Sequence, residues 1–531
     1  MTEETISMDG DESLLNNELN VLEGKNSGHP SGLYVLFFTE MWERFSYYGM
    51  RAILALYMVN ALLFDKVFAS NIYGSYTGLV YLTPILGGVI SDRYWGNRRS
   101  ILIGGIVMAI GQFTLFMSAF MKADPAISHP VFFLGLGLLI FGNGFFKPNI
   151  STMVGSLYPP KDKRIDSAFT IFYMGINLGA FFSPLICGTL AEKIDYKWGF
   201  LAACIGMIIG TLTFVIFKNK HIVTYDGKPV GLPPVKKVLA ANEIKPKPSY
   251  SSGTLAMMGV LFIALLGGFT YLGGTDFNSV IGTLIYSVNI VVVILVLIDT
   301  SLTRIEKERI GVVVILAFFV IFFWSAFEQA GASLTFFADE QTNRTIFGWE
   351  MPASYFQSIN PVAIVIFAPI FAIMWSKLQK RKMEPSSPLK MSIGLFMLSL
   401  GYLVIAFGVH GVQPGVKVTM LFLVAMYLLH TFGELSLSPI GLAIVNKLSP
   451  IKLASLMMGV WFMSNAVSNK FAGVLSALYP DPANPVHPHF LGYEITGLYD
   501  FFMIFVIMSA ASSLLLFIIH RRLLKMMHGV V

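Results

Sequence analysis

Long apolar runs separated by short polar breaks dominate the chain. A helix that crosses a bilayer needs about 20 mostly apolar residues. Fourteen segments have that character: 33–62, 71–91, 100–121, 131–154, 167–190, 199–217, 254–273, 279–300, 310–339, 353–376, 391–410, 418–446, 454–478 and 498–520. The pattern predicts an all-α polytopic membrane protein. The longest internal polar break, 218–252, holds seven lysines and five prolines and falls after the sixth segment. Two nearly uncharged segments follow over 254–300, and six more complete the chain. Two six-helix bundles with two inserted helices are expected, a plan with a central pathway that suits secondary transporters. The predicted divisions are an acidic tail (1–28), a first bundle (29–217), a basic linker (218–252), the inserted pair (253–303) and a second bundle (304–525).

Composition agrees. Of 531 residues, 55% are hydrophobic and 13% charged, where soluble chains carry about 25% charged residues. Residues 1–28 hold seven acids and one base without an apolar block. That excludes a signal peptide and predicts a solvated, disordered tail. With the N-terminus inside and alternating spans, 26 lysines and arginines fall on the inner side and 6 on the outer. The asymmetry predicts that both termini are cytoplasmic, in a multi-pass protein of the cell membrane. Cys187 and Cys204 both lie in apolar runs. Neither a disulfide framework nor a CxxC metal site is expected. No HExxH, GxSxG or paired-aspartate loop is present, which argues against a membrane-embedded enzyme. Membrane lipid is an expected partner; nucleic acid, metal and organic cofactor are not.

The informative residues are the charges inside apolar runs. A charge at the bilayer centre costs about 2.5–3.5 kcal/mol on insertion scales and usually faces a bundle interior or cavity. Span one contains FFTEMWERFSYYGMRAI, 37–53. At 100° per residue, Glu40, Glu43, Arg44, Tyr47, Tyr48 and Arg51 share an arc of roughly 140°. They form either a self-neutralising set that rivets helices or the wall of a cavity. Span four carries GNGFFKPN with Lys147, span nine carries FWSAFEQAGAS with Glu328, and span twelve carries HTFGELSLSP with Glu434. Each of these charges is isolated in its own helix, so its partner must come from another. Lys147 with Glu328 is the expected pair across the halves, either static or broken when the acid takes a proton. Asn177, Gln329, Asn360 and Asn465 are also embedded. Singly, such amides more often join helices than hold ligands. His430 reads as structural. Lys470 is expected near the outer end of span thirteen, snorkelling or pairing with Asp339 or Glu340.

The same residues carry a family resemblance. EMWERFSYYGMR resembles the ExxERFxYYG motif of the proton-dependent oligopeptide transporters. GNGFFKPNIS, FTIFYMGINLGAFFSPLICG, FEQ (327–329), QSINP (357–361), GELSLSPIG (433–441) and GVWFMSNA (459–466) resemble further motifs of that family, in order. GGVISDRYWGNRRS (87–100) resembles a loop motif of the wider major facilitator superfamily. The inserted pair resembles an insertion of prokaryotic members. Gly74 aligns where animal members carry a histidine.

The resemblance implies a major facilitator fold and a proton-coupled symporter of di- and tripeptides, working as a monomer. It implies that Glu40, Glu43, Arg44, Lys147 and Glu328 serve proton coupling. Arg51 and Lys147 would attract the peptide carboxylate. Glu434, Asn177 and Asn360 would hold the amine, and Tyr47, Tyr48, Tyr81 and Trp461 would line the pocket. Asn465 takes a pocket position that is often serine, which bears on side-chain preference. The chemistry of the residues agrees. A short peptide is a zwitterion with variable side chains. A cationic pole in one half and an anionic pole in the other can grip its two ends, and aromatic walls tolerate diversity. Transport of another anion or zwitterion, and a receptor without transport, are the competing readings.

Overall fold

The computed structural model describes residues 28–159, 162–224, 226–234, 250–412, 415–481 and 486–530. Residues 1–27 of the expected tail, and 225 and 235–249 of the expected linker, lie outside the described residues. The helices in chain order are α1 (Ser31–Asn60), α2 (Lys66–Ile90), α3 (Gly96–Phe120), α4 (Pro125–Gly155), α5 (Ile165–Lys193), α6 (Tyr196–His221) and α7 (Ser252–Gly273). They continue as α8 (Phe277–Leu297), α9 (Arg304–Glu340), α10 (Ala353–Lys380), α11 (Ser387–Val409), α12 (Met420–Leu448), α13 (Ala454–Ser476) and α14 (Leu498–Met526).

Each helix overlaps one apolar segment of the sequence. Among the described residues, eleven continuous stretches are long and apolar enough to cross a membrane, with α2 and α3 forming one of them. α1 and α13 are not among the eleven. The reason for α1 is its polar face, which places Glu40, Glu43, Arg44 and Arg51 in one helix.

Polar residues at the breaks start the helices. Side chains of Asp65, Asp124, Asp195, Ser251 and Asp276 accept first-turn N–H groups of α2, α4, α6, α7 and α8. Thr303 and Glu306 form a reciprocal cap at the start of α9. These bonds satisfy donors that a helix N-terminus otherwise leaves open. Short two-residue ladders, which an apolar-run reading does not predict, join 345–346 to 349–350 and 489–490 to 493–494. Phe347–Gly348 and Leu491–Gly492 all have positive φ, the signature of type I′ hairpins.

Buried side chains fall into two main clusters. One joins α1–α6, and the other is centred on α9–α14. α1 packs on α5 and α6, and α3 on α4; in the second half α11 packs on α12 and α14. Across the halves, α2 packs on α13 and α5 on α10. Gly74 and Gly473 meet where α2 crosses α13. A Cβ on Gly74 would fall 2.6 Å from the Gly473 Cα, so the two backbones touch.

Hydrogen bonds between the halves gather at one end, that of the α1–α2, α5–α6 and α9–α10 connections. Lys66 Nζ pairs with Glu340 at 2.7 Å, and Ser70 with Ser476 at 3.0 Å. Glu192 accepts the backbone N–H groups of Ala353 and Ser354 at 2.6 and 3.0 Å. Asp339 is taken by Arg344 at 2.8 Å. Neither acid is therefore left for Lys470, whose Nζ instead donates to Ser75 Oγ at 2.7 Å. The expected pairing of Lys470 with Asp339 or Glu340 is not formed. Lys470 faces the inserted helices, where neither of those acids stands.

Candidate functional site

The polar face of α1 points into the protein. Glu40, Glu43, Arg44 and Arg51 are all buried. Glu40 and Arg44 lie one helical turn apart, so Arg44 Nε donates to Glu40 Oε1 at 2.7 Å. The same nitrogen is 2.9 Å from Glu43 Oε2. Asn143 of α4 donates to Glu43 Oε1 at 3.3 Å. Two turns beyond Arg44, Arg51 Nη1 donates to Glu328 Oε2 at 2.9 Å. This ion pair joins the halves, with both side chains almost closed to solvent. Glu328 sits where α9 tightens into a 3₁₀ turn, Glu328–Gly331. Arg51 also lies over the Tyr48 ring, 5.2 Å from its centroid.

Lys147 Nζ stands 4.0 Å from the centroid of the Tyr81 ring, an arrangement that stabilises a desolvated cation. On the other half, Glu434 Oε2 accepts from Asn360 Nδ2 at 2.8 Å, and the same amide lies 3.1 Å from Thr431 Oγ1. Between the two sets is a cavity of about 160 Å³. Tyr48, Arg51, Tyr81 and Asn177 line it from the first half, and Glu328, Asn360 and Glu434 from the second. A guanidinium and a carboxylate from opposite halves thus share one enclosed space. Aromatic rings, among them Tyr48, Tyr81 and Tyr427, form part of its wall. Such a site can hold both ends of a small zwitterion.

A family model described as the POT family matches residues 98–490. The chain belongs to the POT family. Among relatives of this POT family member, a peptide transporter of Yersinia enterocolitica (YePEPT) is 36% identical over 84% of this chain and 88% of its own. A di-/tripeptide transporter of Lactococcus lactis is 32% identical over 96% and 99%. A crystal structure of a mutant peptide transporter POT with alafosfalin superposes with TM-score 0.77, at 34% identity over 94% and 96% of the two chains. A POT family transporter with 5-aminolevulinic acid gives 0.76 at 31% identity, over 93% and 97%.

In this POT family member, several expected residues meet as the sequence suggests and others do not. Arg51, Tyr48, Tyr81, Asn177, Glu328, Asn360 and Glu434 converge on the cavity. Tyr47, Lys147, Trp461 and Asn465 are not part of its wall. Tyr47 is buried beside Tyr48. The Trp461 ring packs on Gly441 of α12, where a Cβ would fall 2.2 Å from it. Asn177 Nδ2 is turned to the Tyr173 carbonyl, one turn back in its own helix.

The expected Lys147–Glu328 pair is corrected: Arg51 holds Glu328 instead. Arg51 reaches the Glu328 carboxylate directly, at 2.9 Å, whereas the Lys147 ammonium rests on the Tyr81 ring, 4.0 Å from its centroid.

Tyr173, Trp324, Gln357 and Tyr427 also line the cavity and went unnoticed in the sequence. Each had a signal. Tyr173 precedes Asn177 by four residues, Trp324 precedes Glu328 by four, Gln357 precedes Asn360 by three, and Tyr427 precedes Glu434 by seven. Those spacings put each on the same helical face as the residue already singled out.

Proposed function

We propose that this POT family member is a proton-coupled importer of di- and tripeptides that works by alternating access, not an enzyme. The observation that carries the reading is the cavity shared by Arg51 and Glu434 from opposite halves. Arg51, assisted by Lys147 after rearrangement, attracts the peptide carboxylate. Glu434 with Asn360 and Asn177 receives the amine, and Tyr48 and Tyr81 bound the side chains. The named functions of the Yersinia and Lactococcus relatives support a short peptide as cargo. In this reading both termini are cytoplasmic, the closed end faces outward, and one chain suffices.

Charge balance supports a proton as the coupled ion. Glu40, Glu43, Glu328 and Glu434 supply four carboxylates, against three cations from Arg44, Arg51 and Lys147. Fully ionised, the set carries one excess negative charge in a desolvated space, and one proton cancels it. A zwitterionic peptide then adds no net charge. At 100 mV an inward proton brings about 2.3 kcal/mol, worth about a fifty-fold concentration ratio.

The direct test is uptake of radiolabelled dialanine into liposomes holding the purified protein. Accumulation above equilibrium under an inward proton gradient, abolished by an uncoupler, is the expected result. Absence of uptake by folded, inserted protein would refute it. A second reading, transport of another small amine-and-carboxylate compound, is favoured by the similar structure that holds 5-aminolevulinic acid. Competition of that compound against dialanine separates the two.

Arg51→Ala is expected to weaken binding of free peptides by about tenfold or more, the scale of a charge-assisted hydrogen bond. Peptide amides, which lack the carboxylate, are expected to lose much less. Equal losses in a competition assay would remove Arg51 from the carboxylate pole.

A further inference from the structure

The inserted helices create two cavities that the peptide pathway does not use. α8 packs on α7 and reaches α2 of the first half and α13 of the second. A cavity of about 670 Å³ lies between these elements, lined by Asp65, Asp276 and Lys470, by neutral polar residues such as Asn71 and Asn278, and by apolar residues. A second, of about 440 Å³, lies beside it and is walled almost wholly by apolar groups from α2, α4 and α8. Phe68, Asp276 and Asn278 line both. Both volumes fall within the usual range for ligand sites, about 300–1,000 Å³. We infer that this paired cleft binds one phospholipid whose headgroup carries a phosphate and a primary amine, with an acyl chain in the apolar cavity.

Lys470 is the reason to expect a phosphate. Its side chain is 4% exposed. Nζ donates to Ser75 Oγ at 2.7 Å, and Ser75 Oγ donates to Asn278 Oδ1 at 3.1 Å. Among the described residues, no carboxylate lies within ion-pair distance of Lys470. An ammonium has three donors; Ser75 takes one, and Asp276, which lines the same cavity, stands beyond ion-pair distance. Space has been made for it: a Cβ on Gly282 of α8 would fall 2.9 Å from Lys470 Cε. A phosphate in the cavity that Lys470 lines accepts from the donors that Ser75 leaves open.

The acids are the reason to expect an amine as well. Asp65 Oδ1 accepts the Phe68 N–H, and Asp276 Oδ1 accepts those of Asn278 and Ser279. A carboxylate has about four lone-pair sites, so both acids keep capacity toward the cavity. One cation and two anions disfavour a headgroup of net negative charge. They match phosphate and ammonium together, and a quaternary ammonium offers the acids no N–H. The adjoining apolar cavity commits the ligand to a lipid rather than a free phosphate compound. The site lies toward the end where the halves are joined, so the lipid belongs to the leaflet on that side.

Native mass spectrometry of the purified full chain, offered equal amounts of phosphatidylethanolamine, phosphatidylcholine and phosphatidylglycerol, tests this. One phosphatidylethanolamine is expected to be retained about tenfold over the others, the scale of one charge-assisted contact. Lys470→Met is expected to lower its retention about tenfold. Gly137→Leu supplies a second variant. Gly137 lines the apolar cavity, and a Cβ there would meet nothing within 4 Å. A side chain can therefore start there in open space, and leucine is expected to occupy the chain site and reduce retention while Lys470 stays in place. If Lys470→Met fails to fold, the headgroup preference of the natural protein and the Gly137→Leu result decide. Equal retention of the three lipids, a preference for phosphatidylglycerol, or unchanged retention in Gly137→Leu would overturn the assignment.

Discussion

Glu328→Gln is expected to cut peptide uptake driven by a proton gradient at least about tenfold while peptide exchange without a gradient stays within about threefold of normal. The geometry separates the two readouts. Arg51 Nη1 reaches Glu328 Oε2 at 2.9 Å, and the pair joins the halves. A hydrogen bond to a charged group is worth about 1.5–3 kcal/mol net, and a glutamine oxygen still accepts from the guanidinium. The halves of the variant can therefore still close. What it loses is a carboxylate that a proton can neutralise to release Arg51. Exchange needs only the binding site and the rocking motion. On the proposed coupling, net accumulation also needs the proton to decide when the contact opens. Parallel measurement of gradient-driven uptake and counterflow in the same liposomes checks this. Intact gradient-driven uptake would remove Glu328 from the coupling step.

Arg44→Ala is expected to damage the folded protein itself. Arg44 Nε stands 2.7 Å from Glu40 and 2.9 Å from Glu43, with all three groups buried. Removing one partner of a buried ion pair costs about 3–5 kcal/mol, because the remaining charge is left without compensation. Here two carboxylates lose their common cation. The melting temperature in detergent is expected to fall by about 5 °C or more, with loss of transport. The triple variant Glu40→Gln, Glu43→Gln, Arg44→Met offers a control. It removes the charges together and is expected to recover most of the stability, since buried ion groups replaced by apolar or neutral ones are often neutral in cost. It is not expected to recover coupled uptake. Full recovery of uptake would make the cluster a rivet and nothing more.

The helices and the polar face of α1 were legible in the sequence because lipid imposes a simple rule. Apolar length marks a helix, and each embedded charge needs a cavity or partner. Glu40, Glu43 and Arg44 could be paired from spacing alone, since they share one helix. Arg51 with Glu328 could not. Their meeting depends on how far each helix is shifted along the bundle, and hydropathy says nothing of that shift. Lys147 and Arg51 are equally cationic in a sequence; only the folded arrangement, with Arg51 on Glu328 and Lys147 on the Tyr81 ring, distinguishes them. The alternative that paired Lys470 with Asp339 or Glu340 failed for a related reason. Its partner, Ser75, is neutral and lies on α2, so no charge pattern pointed there. Tyr173, Trp324, Gln357 and Tyr427 were within reach, one or two turns from residues already chosen.

The contact of Gly74 with Gly473 bears on how faithfully cargo and ion stay linked. Backbone lies on backbone there, with no side chain between. Side chains at a gate hop among rotamers on short timescales, and each hop can open a brief file for water. A glycine seal has no rotamers to hop. It is either shut or parted by movement of whole helices. Protons then have little opportunity to slip through a closed transporter without a peptide, and leak current at the resting state should be low. A side chain placed at this crossing would force the two helices apart, since a Cβ on Gly74 would fall 2.6 Å from the Gly473 Cα.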